Sequence, residues 1–480
     1  MSGGPLPRVA GSRRLFLAYL ALLAWLPLPM ASIKPWGQAI MAVWAFTLVA
    51  WHLATRPPST VPSPTLPLGA RLALGLLGAW ALYIFLQWLP LPAGLVQTLS
   101  PRAYATYHAL EMAGLPAAYR LSLDPWATLS AGYKTLALLS ILYLTLVLAH
   151  SEGRIRLLGR VILYSALFQA LYGSAMALSG LEYGFFVKKS AYLGVATGTF
   201  VNRNHLAGYL VMSLAVGIGL LLADLSPPRH VAHWRQRLRD LLKLLFSPKM
   251  RLRIYLALLV TALILTRSRM GNTAFFVSLL VAGGITLLFS RRLARKTVIL
   301  LASLIVIDLF LLGAWFGIER VAERLEHTSM ETESRDEIAA GVLRMWEDFR
   351  WTGSGAGSFY SVFPAYKDGT IGNHYYHAHN DYLQFLAEGG PLGLLLPGAA
   401  VVLSLWAAIT ALRHRRHPLV RGMAFATLMG VTAILIHSTV DFNLQMPANA
   451  AMFMVLMGLA WVGSGVGRGS ARMQFTWSGR

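Results

Sequence analysis

The chain reads as an all-α polytopic membrane protein of about 12 transmembrane helices with a large helical extracytoplasmic loop, and three observations predict it. Only 13 % of its 480 residues are charged and 56 % are hydrophobic, whereas a soluble domain carries about 25 % charge. Apolar runs recur along the chain, each near the ~20 residues that a helix needs to cross a bilayer core. Arginines gather in alternate loops, as expected of cytoplasmic segments.

In order, the spans are expected near 15–31, 36–54, 70–90, 129–149, 157–178, 204–223, 252–266, 270–290, 297–317, 391–411, 420–438 and 448–465. An even number places both termini on one side of the membrane. Arg8, Arg13 and Arg14 lie there, with Arg154, Arg156 and Arg160, then Arg229, Arg235, Arg251 and Arg253. Arg291, Arg292 and Arg295 follow, then Arg413, Arg415, Arg416 and Arg421. That side is the cytoplasm. The opposite face receives loops near 91–128, 181–203, 267–269, 318–390 and 439–447. Of the 20 acidic residues, 12 fall between Glu319 and Glu388, so loop 318–390 is the most acidic as well as the longest outer segment. Basic residues precede the first apolar run as in a signal peptide, but no small-residue cleavage site follows, which predicts an uncleaved helix. The organisation is therefore N-terminal transmembrane helices over 1–200, a membrane region over 201–465 that includes loop 318–390, and a cytoplasmic tail over 466–480.

Between the spans, the proline-rich stretch 56–67 reads as a linker. Segment 229–246 reads as a basic amphipathic helix on the anionic inner leaflet. Ser334 with Glu337 forms a capping-box pattern, predicting a surface helix over about 335–350. The following "TGSGAGSF" lacks the Lys-Ser/Thr of a phosphate loop and reads as a tight turn. There is no cysteine, which excludes disulfides, thiolate metal sites and a cysteine nucleophile. The net charge of +22 is a topological signature, and no nucleic-acid-reading motif accompanies it.

Polar residues concentrate at the outer ends of spans. "TGTFVNRNHLAGYL" supplies Asn202, Arg203, Asn204 and His205, and "LTRSRMGN" places Arg267 and Arg269 in a turn between two spans. "GNHYYHAHNDYLQFLAEGG" carries His374, His377, His379, Asn380 and Asp381, and "HSTVDFNLQMP" adds His437 and Asp441. Ionisable groups at membrane depth default to a functional reading. Lys188 and Lys189 read instead as snorkelling to lipid headgroups, His437 as a satisfied helix-end residue and Asp308 as a buried carboxyl. His377 and His379 alternate with alanine, so an extended segment points both one way. With Asp381 they would make a metal-ligand set, but the cationic neighbours favour an anionic substrate.

These motifs, in this order and together with the Arg335 helix, resemble the O-antigen ligase and polymerase superfamily of bacterial envelope glycosyltransferases. The resemblance covers about 200–465. It implies glycan transfer from undecaprenyl diphosphate to an acceptor hydroxyl on the periplasmic face of the inner membrane, without metal, cofactor or nucleotide sugar. The acceptor is lipid A core in ligases, another lipid-linked repeat unit in polymerases, and protein in related oligosaccharyltransferases. Matched motif by motif, Arg203, Arg269 and His379 take the catalytic places. His379 precedes Asn-Asp as the family's histidine does, and Arg335 matches a recurring loop arginine. Asn202, Arg267, Arg335, His377, Asn380 and Asp381 are the accompanying substrate-binding candidates, with Asn380 or Asp381 placed to hold the imidazole tautomer. A transporter for lipid-linked sugars would need charges deep within several spans; here the polar residues lie at outer ends. A non-enzymatic scaffold leaves the outer histidines and arginines without a role.

Overall fold

The computed structural model describes residues 10–55, 66–185, 187–224, 248–289, 329–367 and 374–462. Its α-helices in chain order are α1 (Ala10–Trp25), α2 (Pro35–Ala54), α3 (Leu68–Trp88), α4 (Ala93–Leu99), α5 (Pro101–Met112), α6 (Pro125–Leu148), α7 (Glu152–Ser179) and α8 (Arg203–Ala223). There follow α9 (Pro248–Leu265), α10 (Arg269–Leu288), α11 (Ser329–Asp348), α12 (Phe359–Val362), α13 (Asp381–His414), α14 (Pro418–His437) and α15 (Pro447–Val462). Among the described residues eight helices are long and apolar enough to cross a membrane, and the chain is an all-α multi-pass membrane protein. A helix stands at each expected span within these residues. The run at 297–317, Asp308, the 229–246 segment and the 466–480 tail lie outside them.

Helices α8 and α14 form the centre of the bundle, buried along almost their whole length. They cross at a glycine pair. A Cβ on Gly219 would collide with the carbonyl oxygen of Gly422, and one on Gly422 with that of Gly219. Small residues let membrane helices approach to backbone contact, where packing rather than the hydrophobic effect holds them. Around this pair α3 packs on α6 and α13, and α6 on α15, in one continuous apolar core.

A second, smaller core lies outside the bundle. Ile338, Val342 and Met345 of α11, with Phe349 just past its end, recur at helical spacing and are buried together with Val96 of α4, Ala103 of α5, and Phe359 and Phe363. An apolar stripe at that spacing is what a surface helix needs to dock. The helix foreseen near 335–350 thus spans Ser329–Asp348, and its partners come from the 91–124 stretch. Together they make a helical cap over one end of the bundle.

Helix α13 is two helices joined at Gly390, where φ is 59° and ψ is −162°, a conformation essentially confined to glycine. Trp351 carbonyl packs where a Cβ would stand, so the cap is wedged into the break. Pro391 then starts a membrane helix, at the residue where the apolar run begins. The piece Asp381–Gly389 stands outside that run and carries the polar residues. A two-stranded hairpin, β1 (Tyr183–Gly184) and β2 (Val187–Lys188), lies in the loop before α8. Lys189 next to it does not reach for lipid. Its Nζ donates to Glu182 Oε2 at 2.6 Å and to the Val195 carbonyl at 3.0 Å, because an internal carboxylate is the nearer partner.

Candidate functional site

Three helices begin at the same end of the bundle, each on a side-chain cap. Asn202 accepts from the Asn204 amide at 2.8 Å, Ser268 from the Gly271 amide at 3.2 Å, and Asn380 from the Leu383 amide at 3.1 Å. The residues just inside these caps are Arg203, Arg269 and Asp381. Close packing draws the three starts together. A Cβ on Gly271 of α10 would lie 2.6 Å from Ala207 Cβ of α8, and one on Gly208 of α8 would strike the side-chain oxygen of Asn443. Asn443 belongs to the turn between α14 and α15, and Asp381 is fastened to the same turn. The Asp381 amide donates to the Ser438 carbonyl at 3.0 Å, while its carboxylate accepts from Ser438 Oγ at 2.7 Å and from the Leu444 amide at 3.1 Å. Helix N-termini carry positive partial charge, and gathered with two arginines they favour an anion at this end.

In the same turn Asp441 is fully buried and faces three histidines. His205 Nε2 lies 3.6 Å from its Oδ1, His379 Nδ1 4.0 Å from the same oxygen, and His437 Nε2 3.9 Å from Oδ2. The Phe442 amide donates to Oδ1 at 2.8 Å. Burial by itself would raise this carboxyl, but the hydrogen bond and charge of His205, then the charges of His437 and His379, hold it well below the usual carboxylate range. The Phe442 ring fixes the imidazoles around it. It stacks on His377 with centroids 4.5 Å apart and meets His205 and His379 edge-on at 4.6 and 4.8 Å. His379 adopts a positive φ of 52°, uncommon for a side chain with a Cβ, and this turn of the backbone sets its ring against Asp441.

Residues 254–398, which hold Arg269 and the stretch from His377 to Glu388, match the family model described as O-antigen ligase. That match, over 145 of the 480 residues, bears out the resemblance to the O-antigen ligase and polymerase superfamily. No curated protein matches it at a significant level. Arg203, His205, His437 and Asp441 lie outside the matched segment and reach the site only through the packing of α8, α10 and α14. The match supports a membrane enzyme that transfers glycan.

A second polar layer lies beneath the histidines. Gln384 donates to Glu388 Oε1 at 3.0 Å and to His377 Nδ1 at 3.2 Å, while its own oxygen accepts from the Ala378 amide at 3.2 Å. The glycine-rich turn wraps the same glutamate, with the Gly357 and Phe359 amides donating to it at 2.8 and 3.2 Å. Amides of this turn do converge on an anion, but the anion is the protein's own Glu388. Gln87 of α3 ties the layer to the bundle through the carbonyls of Thr352 and Glu388 at 2.7 and 2.9 Å. Lys134 of α6 reaches in to Gln445 Oε1 at 3.3 Å. Lys134 and Gln87 escape motif reading, although one lysine in an apolar helix is a signal that membrane energetics makes costly to ignore.

The predicted residues separate by what they touch. Arg203 sits over the Tyr192 ring at 5.8 Å, and Arg267 and Arg269 are exposed at the start of α10. The side chain of Arg335 lies outside the described residues. Asn202 and Asn380 serve as caps, with Asn380 also donating to the Thr439 carbonyl at 2.9 Å. Asp381 was expected to meet substrate or orient the histidine; instead its carboxylate is engaged by the 438–444 turn, and Asp441 stands beside His379. The set His377, His379 and Asp381 is not gathered around one point, and among the described residues no three His, Asp or Glu side chains are arranged to hold a metal ion. His437 is not a bystander at a helix end but one of the three imidazoles on Asp441.

His377 is held neutral. Because an amide nitrogen only donates, Gln384 makes His377 Nδ1 an acceptor and leaves its proton on Nε2. Burial first, then the positive charges of Lys134 and His205, pushes His377 down to about 3. Its folded value thus lies below the unfolded one near 6.5. Stability from this group is complete above pH 6.5 and is lost as pH falls from there toward 3. Between pH 7.5 and 5 the loss is about 2 kcal/mol for one proton. Chemical or thermal unfolding in detergent is expected to show that much more acid sensitivity in the wild type than in His377→Asn; equal acid sensitivity of the two would refute the neutral, buried state.

Proposed function

We propose that this protein transfers a glycan from undecaprenyl diphosphate to an acceptor hydroxyl, that of lipid A core, at the periplasmic face of the bacterial inner membrane. The observation that carries the proposal is the convergence of His379 and its carboxylate partner Asp441 with the helix starts that bear Arg203 and Arg269. In the reaction His379 Nε2 takes the proton of the acceptor hydroxyl while Asp441 supports the resulting imidazolium through Nδ1. The hydroxyl oxygen bonds to the anomeric carbon as the bond from that carbon to the diphosphate oxygen breaks. The electron pair leaves on the lipid diphosphate. A single displacement of this kind inverts the anomeric centre.

Arginine suits the leaving group because it stays charged and binds phosphate oxygens in pairs. Arg203 and Arg269 then stabilise charge that develops on the bridging oxygen, helped by the N-termini of α8 and α10. Arg203→Ala or Arg269→Ala is expected to lower transfer on the order of 10²–10³, with lysine restoring only part because it lacks the paired donors. Glycan transfer in membranes carrying equal protein measures this, and wild-type product from both alanine variants would overturn the assignment. The acceptor is tested by deleting the gene and inspecting envelope glycans. Lost attachment to lipid A core supports the ligase; retained single repeat units identify a polymerase instead.

A further inference from the structure

At the far end of α8 from Arg203, a cleft of about 260 Å³ opens between α7, α8 and α9. Helix α8 has 21 residues, which at 1.5 Å each separates the two ends by about 30 Å, the thickness of a bilayer core. The cleft lies at the other membrane boundary. Its lining includes Arg156 and Arg160 of α7, Arg251 of α9, and Asp224 at the end of α8. Arg156 and Arg160 share one face of α7 by their four-residue spacing.

The charges do not cancel. Arg156 is held by Asp224 at 2.8 Å and by Glu152 at 3.0 Å. Among the described residues neither Arg160 nor Arg251 has a carboxylate at ion-pair distance. Two guanidinium groups therefore border a cleft whose remaining lining is the paired Arg156 and Asp224 and otherwise apolar or aromatic side chains. Tyr164 and Tyr255 meet edge-to-face at 6.0 Å there, an amphipathic pairing suited to headgroup depth.

An apolar track leads away from the cleft. On α7, Tyr164, Phe168 and Leu171 follow Arg160 at helical spacing, and they are 54, 41 and 51 % exposed. Charge at the boundary followed by an apolar stripe running into the membrane matches a phosphodiester with its acyl chain. A free phosphate would use only the upper part.

From this we infer that the cleft between α7, α8 and α9 is a binding site for an anionic phospholipid, its phosphate held by Arg160 and Arg251 and an acyl chain laid along Tyr164, Phe168 and Leu171. At sequence level these arginines served only as markers of sidedness; the fold gathers them, and basic pockets between membrane helices take anionic headgroups. The site is about a membrane's width from the histidines and independent of the reaction proposed for them.

The test uses the full chain purified in detergent, with phosphatidylglycerol, phosphatidylcholine of the same acyl chains, or glycerol phosphate added. Native mass spectrometry reads retained lipid and a melting curve reads stabilisation. Phosphatidylglycerol is expected to be retained and to raise the melting temperature, with the other two having little effect. R160Q/R251Q is expected to weaken its retention roughly tenfold to thirtyfold, while R413Q, on the exposed C-terminal end of α13, leaves it unchanged. Equal retention by R160Q/R251Q and wild type would overturn the proposal, as would equal stabilisation by phosphatidylcholine. Full stabilisation by glycerol phosphate would make this a soluble-anion site. The double variant's melting curve without lipid shows that it is folded, and R160K/R251K, which keeps both charges, is expected to regain most of the retention; failure to regain any would count against the electrostatic account.

Discussion

His379→Ala is expected to lower glycan transfer by on the order of 10²–10⁴ at unchanged protein level, the contribution usual for a positioned general base. The expectation rests on the difference between two histidines one alanine apart. His377 is stacked on Phe442 and accepts from Gln384, which leaves Nε2 as a donor with its proton in place. His379 Nδ1 faces Asp441 at 4.0 Å, so its Nε2 is the nitrogen left to receive a proton from substrate. His377→Ala should therefore cost less in rate than His379→Ala. Transfer measured in membranes with both variants decides it. If the order is reversed, the base is His377 and the positive-φ turn at His379 has another purpose. His379→Gln, which keeps a hydrogen-bonding group but takes up no proton, is expected to be as inactive as alanine.

Asp441→Asn is expected to reduce the maximal rate by roughly 10²–10³, within the range for general-base chemistry, and also to move the pH profile. A carboxylate beside an imidazole favours its charged form. Replacing that charge with an amide lowers the proton affinity of His379, so the acid limb of the profile should shift to lower pH. A purely structural defect would reduce the rate without moving the limb. The rate of transfer between pH 5 and 8, at matched protein levels, separates the two. An unshifted profile would reduce Asp441 to a packing role. Some loss of stability is also expected, because His205 and His437 share the same carboxylate and removing one partner of a buried charged group is costly.

Much of this molecule was legible in its sequence. The apolar runs placed helices correctly wherever the described residues allow the comparison, since crossing a membrane imposes a length that composition reveals directly. The motifs carrying Arg203, Arg269 and His379 were legible because each marks a helix start or a break, where polar residues are needed locally by the backbone. Asn202, Ser268 and Asn380 cap those helices, so part of what looks like a functional motif is helix-start chemistry. Asp381 illustrates the confusion. Its place beside His379 in sequence suggested a partner, yet its carboxylate closes the 438–444 turn, while the carboxylate that meets His379 is carried by that turn itself, at Asp441. The glycine-rich stretch is a turn, as its sequence predicts, but that its amides bind Glu388 was not legible, because that glutamate is distant in sequence.

What the sequence determined by itself is the class of protein and the neighbourhood in which chemistry is to be sought, since each follows from local energies: the cost of burying charge in lipid and the need of each helix start for a cap. Which imidazole meets which carboxylate was decided only by the tertiary structure. Gly271 on Ala207, Gly208 on Asn443 and Gly219 on Gly422 set how closely three helices approach, and that approach brings His205, His379 and His437 to one buried aspartate. Contacts of that kind depend on the fit of backbones far apart in the chain, a quantity no local pattern encodes.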